Sequence, residues 1–166
     1  RVRIAAIDAK GAKELDAALT KLGVRVVKGA ADLTVTLAND YLEAQLAELN
    51  RRHLSDRTPW LLVQTAGIFP LVGPVFRPGE GACWACLADR MQKNREVKAL
   101  LDRRRARQVA ASPLANSALG SSAVALAALE IAKTIATDFR TDLRDHIVSL
   151  DLLGASVMRH YVTARP

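Results

Sequence analysis

Val2-Arg3-Ile4-Ala5-Ala6-Ile7-Asp8-Ala9-Lys10-Gly11-Ala12-Lys13 is the stretch on which the fold turns. A short β-like run, Val2 to Ile7, gives way to a helical pattern with Ala12, Leu15, Ala18, Leu19 and Leu22 spaced for one face. Gly23 stops that helix, as Gly does at a helix C-terminus. Val24-Arg25-Val26-Val27 then reads as a second strand. Strand, helix and strand in this order predict a parallel, right-handed βαβ unit.

The pattern continues outward. Leu33-Thr34-Val35-Thr36-Leu37 alternates as a strand does, and Asp40 with Glu43 three residues later resembles a capping box opening a helix that buries Tyr41 or Leu42, Leu46 and Leu49. Pro59 introduces Trp60-Leu61-Leu62-Val63-Gln64, apolar on both faces and so expected at the centre of the sheet. From Gly67 to Gly81 the composition changes, with Gly73-Pro74 and Pro78-Gly79 marking turns and Ile68-Phe69 and Val75-Phe76 as short strands between them. A helix is expected from about Trp84, with Leu87, Met91, Val97 and Leu100-Leu101 near one face, fading into Arg103-Arg104-Arg105 and Arg107. After a loop over 108–117, an Ala-rich helix spans roughly 118–136. His146 to Leu150 and Val157 to Val162, joined near Gly154, predict an antiparallel pair.

This is an α/β chain of Rossmann-like layout, with a mostly parallel sheet and antiparallel C-terminal strands. The nucleotide loop of such a layout is degraded. Phosphate binding at a βα turn needs glycines that bring bare backbone to the ligand, and only Gly11 remains between Asp8 and Lys13. Asp8 puts a negative charge where phosphate would sit; Lys10 and Lys13 could attract it but carry side chains where the backbone should be bare. The second strand ends at Val27-Lys28, with no acid placed for a ribose hydroxyl. No nucleotide is expected. There is no Gly-x-Ser-x-Gly elbow and no His-Glu-x-x-His.

Bulk properties narrow the classes. The 166 residues suffice for one domain with a core, half of them apolar but only 4% aromatic. No apolar run approaches the roughly 18 to 20 residues of a membrane helix, and no signal peptide is visible, so a reducing cytoplasm is expected. The chain opens on Arg1 rather than Met and stops at Pro166, and is expected to be a piece of a longer protein. Its formal charge of +7 raises nucleic acid as a partner. The arginine run 103–107 has no interleaved aromatic, so a solvated helix end or a docking patch for an acidic partner is preferred.

Cys83-Trp84-Ala85-Cys86 carries the one chemical signal. Two sulfurs at this spacing can bind one Zn²⁺, whose closed structural sites take four ligands. His53, His146 and His160 are available as further ligands, but each is isolated in the sequence. A dithiol redox motif and a pair of inert thiols remain open beside zinc.

The middle of the chain resembles a known family. Trp60-Leu61-Leu62-Val63, then Gly73-Pro74-Val75-Phe76-Arg77-Pro78-Gly79, then Cys83-Trp84-Ala85-Cys86-Leu87 with Asp89-Arg90 and Asn94 look like the cyclodehydratase component of thiazole/oxazole-modified microcin biosynthesis, within the ThiF/MoeB-like, ubiquitin-activating-enzyme-like fold. His160-Tyr161-Val162-x-x-Arg165-Pro166 looks like the run that leads into that family's second Cys-x-x-Cys. The resemblance implies one adenylating-enzyme-like domain over 1–166 with a crossover segment at about 67–117. It also implies a structural zinc held by Cys83, Cys86 and two cysteines past Pro166. A non-catalytic role follows from it: the component presents a ribosomal precursor peptide to a YcaO-type ATP-dependent enzyme that forms azolines, and a homodimer is common for the fold. Active relatives carry a Gly-rich loop, and an Asp after the third strand with an Arg soon after. Here Asn39-Asp40 is followed by no Arg until Arg51. An active adenylating enzyme with an atypical phosphate loop is the alternative.

Overall fold

A computed structural model of the chain describes residues 1–94 and 117–165, with side chains throughout except at 117–119. Six strands form one sheet: β1 (Val2–Ile7), β2 (Leu33–Ala38), β3 (Trp60–Gln64), β4 (Leu71–Phe76), β5 (His146–Asp151) and β6 (Ser156–Tyr161). Their order in space is their order in the chain. β1, β2 and β3 run parallel, and every pairing from β3–β4 onward is antiparallel. The α/β, Rossmann-like layout expected from the sequence holds. The helices are α1 (Ala12–Lys21), α2 (Gln45–Asp56), α3 (Trp84–Lys93) and α4 (Ser117–Ala136), with a 3₁₀ turn at Asp142–Arg144. No described helix is long and apolar enough to cross a membrane. The arginine run 103–107, Val97, Leu100-Leu101, most of the 108–117 loop and much of the proposed crossover at 67–117 lie outside the described residues.

Strand alternation sorts the core into two layers. Val35, Leu37, Leu61, Val63, Val72 and Val148 point to one face, where Leu15 and Leu19 of α1 and Ala127 and Ile131 of α4 cover them. Trp60, Leu62, Phe76 and Ile147 point to the other, against Leu46 of α2 and Trp84 and Leu87 of α3. Helices on both faces explain why β2 and β3 are buried along their whole length.

Val24–Val27 does not form the expected strand. Val27 N–H donates to the Val2 carbonyl at 2.8 Å and Val2 N–H to the Arg25 carbonyl at 2.9 Å, a single parallel bridge between Val2 and Val26. Half-buried at an open edge, the segment gains too little packing to extend the ladder. It still lies on the opposite side of β1 from β2. The chain therefore reverses direction across the sheet at β1, which makes the C-terminal tips of β1 and β2 the topological switch point.

Gly73-Pro74 is not a turn either. It lies inside β4, where the register slips: Leu61 pairs with Val75 and Val63 with Val72, so Gly73 and Pro74 together oppose Leu62. This is a β-bulge. Gly73 has φ +90°, and a Cβ there would sit 2.8 Å from Leu143 Cδ2 and 3.0 Å from the His146 carbonyl oxygen. Pro74 has no N–H to donate. The hydroxyl of fully buried Tyr41 reaches in instead, donating to the carbonyls of Leu62 (2.9 Å) and Gly73 (2.6 Å). With that much of it buried, the phenol is pushed well above its ordinary pKa.

Asp40 and Glu43 close a turn rather than a helix start. Glu43 Oε1 accepts the N–H groups of Asn39 (2.7 Å) and Asp40 (3.1 Å), Asp40 Oδ1 accepts that of Leu42 (2.9 Å), and α2 begins at Gln45. Glu43 is raised above its ordinary pKa by burial, against the lowering effect of those two N–H groups, with Asp40 and Asp8 adding repulsion.

Candidate functional site

The approach to the cysteines is a tight turn. Glu80 N–H donates to the Arg77 carbonyl at 2.9 Å, their side chains pair at 2.7 Å, and Gly79 and Gly81 take positive φ. Cys83 is extended and sits at the N-cap of α3, with its carbonyl accepting from Cys86 N–H (3.1 Å) and Leu87 N–H (3.3 Å). Between the two cysteines, Trp84 anchors the turn. Its ring is buried in the second core layer, its Nε1–H donates to the Tyr41 carbonyl at 2.8 Å, and its backbone N–H donates to Asn50 Oδ1 at 3.3 Å. An apolar plug with two polar pins thus fixes the first turn of α3 and leaves both sulfurs half-exposed.

The sulfurs are 3.8 Å apart. A disulfide would need about 2.05 Å. Two Zn–S bonds of about 2.3 Å meeting at a tetrahedral angle separate their sulfurs by about 3.8 Å. The pair therefore fits two corners of a zinc tetrahedron without rearrangement. Burial pushes the Cys86 thiol up, but hydrogen bonds from Arg165 and Cys83 outweigh it and hold the thiol below its ordinary value. A thiol biased toward thiolate suits a metal ligand, and equally a reactive dithiol.

The histidines do not complete the site. His53 is buried, with Nδ1 2.7 Å from Thr58 Oγ1 and its ring stacked on Trp60. His146 Nδ1 lies 2.6 Å from Asp145, and His160 Nε2 lies 2.8 Å from Ser149 Oγ. Among the described residues, no group of three His, Cys, Asp or Glu side chains converges on one metal position. One partner of the pair had no signal in the spacing of the cysteines: Arg165, whose N–H donates to Cys86 Sγ at 3.5 Å.

The switch point is drawn together by side chains. Asn39 Nδ2 donates to the Asp8 carbonyl at 2.9 Å, tying the tips of β1 and β2. Thr65 Oγ1 donates to the Lys10 carbonyl at 3.2 Å. Gly11 has φ +106°, and Val124 Cγ2 of α4 lies 3.3 Å from where its Cβ would be. Glycine is needed at this position for its backbone conformation and for close packing with α4.

No family model and no curated protein matches the sequence. Solved structures do. A heterocyclase solved in complex with substrate and cofactor matches with TM-score 0.88 and 29% identity, over 99% of this chain and 24% of that one. The heterocyclase TruD matches with TM-score 0.87 and 32% identity, over 99% of this chain and 26% of that one. The chain thus spans about a quarter of the length of these heterocyclases. MccB of E. coli, solved with ATP, matches with TM-score 0.57 and 17% identity over 86% of this chain and 43% of its own, which shows the fold alone. The resemblance carried by Gly73–Gly79 and Cys83–Leu87 is thereby matched in three dimensions: along nearly its whole length this chain is similar to one segment of the heterocyclases, within the ThiF-like fold.

Proposed function

We propose that this chain is part of the scaffold and peptide-presenting component of a cytoplasmic cyclodehydratase complex that forms azolines on a ribosomal precursor peptide. The observation that carries the reading is the likeness to two heterocyclases at 29 and 32% identity over 99% of the chain. In this reading a YcaO-type enzyme spends the ATP and does the chemistry. The present component binds the peptide, directly or through other domains, and pairs with a second copy of itself.

The β1–α1 turn supports a non-catalytic role. Its carbonyls are engaged by Asn39 and Thr65, Val124 packs at Gly11, and Asp8, Asp40 and Glu43 gather negative charge beside it. Phosphate would meet acids where it needs bare N–H groups. Titration of the full-length protein with ATP is the test. The scaffold reading expects neither micromolar binding nor pyrophosphate exchange, and the two together would sink it. A ThiF/MoeB-type adenylating enzyme is the second reading, favoured by the fold shared with ATP-bound MccB. It predicts that replacing Lys10 and Lys13 by Ala abolishes nucleotide turnover.

Cys83 and Cys86 supply two ligands of a structural zinc, with two further cysteines following Pro166 as the others. Zinc held by Cys83 and Cys86 would add a structural cross-link at the start of α3. Elemental analysis of the full-length protein should find one zinc per chain, lost on Cys83→Ser. Retention of zinc by that variant would remove Cys83 from the ligand set.

A further inference from the structure

Arg165 stands 79 residues from Cys86, yet three of its groups converge on the cysteine turn. Its backbone N–H donates to Cys86 Sγ at 3.5 Å. One guanidinium nitrogen donates to the Ala85 carbonyl at 3.4 Å. Another lies 3.6 Å from Asp89, a carboxylate that Lys93 also holds at 2.9 Å. The segment that delivers Arg165 is itself fixed. Val162 is buried in the core layer that holds Trp84 and Leu87, and its N–H donates to the Asp145 carbonyl at 2.7 Å.

Stability is a weak explanation for this convergence. Exposed ion pairs add little to stability, and Arg165 is exposed. The β6 ladder is complete at Tyr161 without it. Geometry is the better one. The planar guanidinium fork can meet a carbonyl and a carboxylate together, which holds Arg165 against the first turns of α3 at Ala85 and Asp89. The backbone N–H of Arg165 is then aimed at sulfur. Hydrogen bonds to the side chains that ligate a metal orient them, and their loss typically weakens metal binding 10- to 100-fold.

We propose that Arg165 is a positioning residue of the metal centre: its side chain clamps the segment after β6 to the cysteine turn so that its own N–H presets the Cys86 sulfur for the metal. This rests on the zinc reading above. The test uses the full-length protein as wild type, Cys83→Ser, Arg165→Ala and Arg165→Lys. Zinc affinity is measured by competition with a chelator, the thiolate-to-metal absorption of the Co²⁺-substituted protein is recorded, and hydrogen exchange is followed at the residue 165 amide. Arg165→Ala is expected to weaken zinc on the order of 10- to 100-fold, to perturb the cobalt spectrum and to expose the amide, with circular dichroism unchanged. Arg165→Lys should recover only part, because an ammonium lacks the fork. Asp89→Asn, which leaves Arg165 in place, should weaken zinc by a smaller factor. If wild type and Arg165→Ala bind zinc equally, with the same amide protection, the clamp is overturned while the zinc site stands. If wild type binds no zinc, the zinc reading falls and takes this proposal with it.

Discussion

Replacing Tyr41 by Phe removes one buried oxygen atom and changes nothing else in shape. The hydroxyl shares its proton between the Leu62 and Gly73 carbonyls at the bulge, where Pro74 offers no donor. Without it, two buried acceptors go short. A lost hydrogen bond is worth about 1 kcal/mol, and a buried group left unsatisfied costs about 1–3 kcal/mol. Because the two carbonyls had one proton between them, about 2 kcal/mol is expected, roughly a 30-fold change in the folding equilibrium. In urea, with a slope of about 2 kcal/mol/M, the midpoint followed by far-UV circular dichroism should fall by about 1 M at unchanged slope. Tyr161 is the control, since the residue is 62% exposed: Tyr161→Phe should stay within about 0.5 kcal/mol. A Tyr41→Phe midpoint within about 0.2 M of wild type would refute the assignment of the hydroxyl as the bulge's hydrogen-bond donor.

Substitutions at three other positions report on neighbouring features. Gly73→Ala puts a methyl 2.8 Å from Leu143 Cδ2 at a positive φ; a loss of at least about 2 kcal/mol is expected, read by thermal denaturation. Trp84→Ala empties the plug between the cysteines and should cost about 3–5 kcal/mol, while Trp84→Phe, losing mainly the bond to the Tyr41 carbonyl, should cost about 1–2 kcal/mol; a Trp84→Phe variant as stable as wild type would mean the indole N–H does not anchor the turn. His53 is held below its ordinary pKa by burial, which outweighs its hydrogen bond to Thr58. A depressed histidine binds its proton more tightly in the unfolded chain, so its contribution is intact above about pH 6.5 and is lost as pH falls through the lower folded value. The urea midpoint should therefore drop between pH 7.5 and 5, and His53→Gln should flatten that drop.

Much of this fold was legible because its signals are local. The alternation in Leu33–Leu37, the doubly apolar Trp60–Gln64 and the helical spacing from Ala12 each report burial of a single element. Gly73-Pro74 misled because the same dipeptide serves a turn and a bulge. What decides between them is Leu143 and Tyr41, 70 and 32 residues away in sequence from Gly73. The Asp40–Glu43 pair was legible as hydrogen-bonding chemistry but not as to which structure it would close. Cys83 and Cys86 announced themselves by spacing. Trp84, lying between them, looked like any helix residue until its ring was seen to fill the core. Arg165 could not be tied to Cys86 by any local rule, since its contact depends on how β6 returns past α3.

The strands stand in space in the order in which they occur in the chain, and the rudimentary Val24–Val27 edge lies outside β1. Among the described residues, no strand has to be threaded between two that are already paired. As the polypeptide leaves the ribosome, each new strand can join an open edge of what has already emerged, so the sheet can be assembled vectorially during synthesis. β6, the latest of these strands in the chain, takes the outer edge beside β5 and carries Arg165 to the cysteines. The cysteine turn can gain its contact with Arg165 only after β6 has been made.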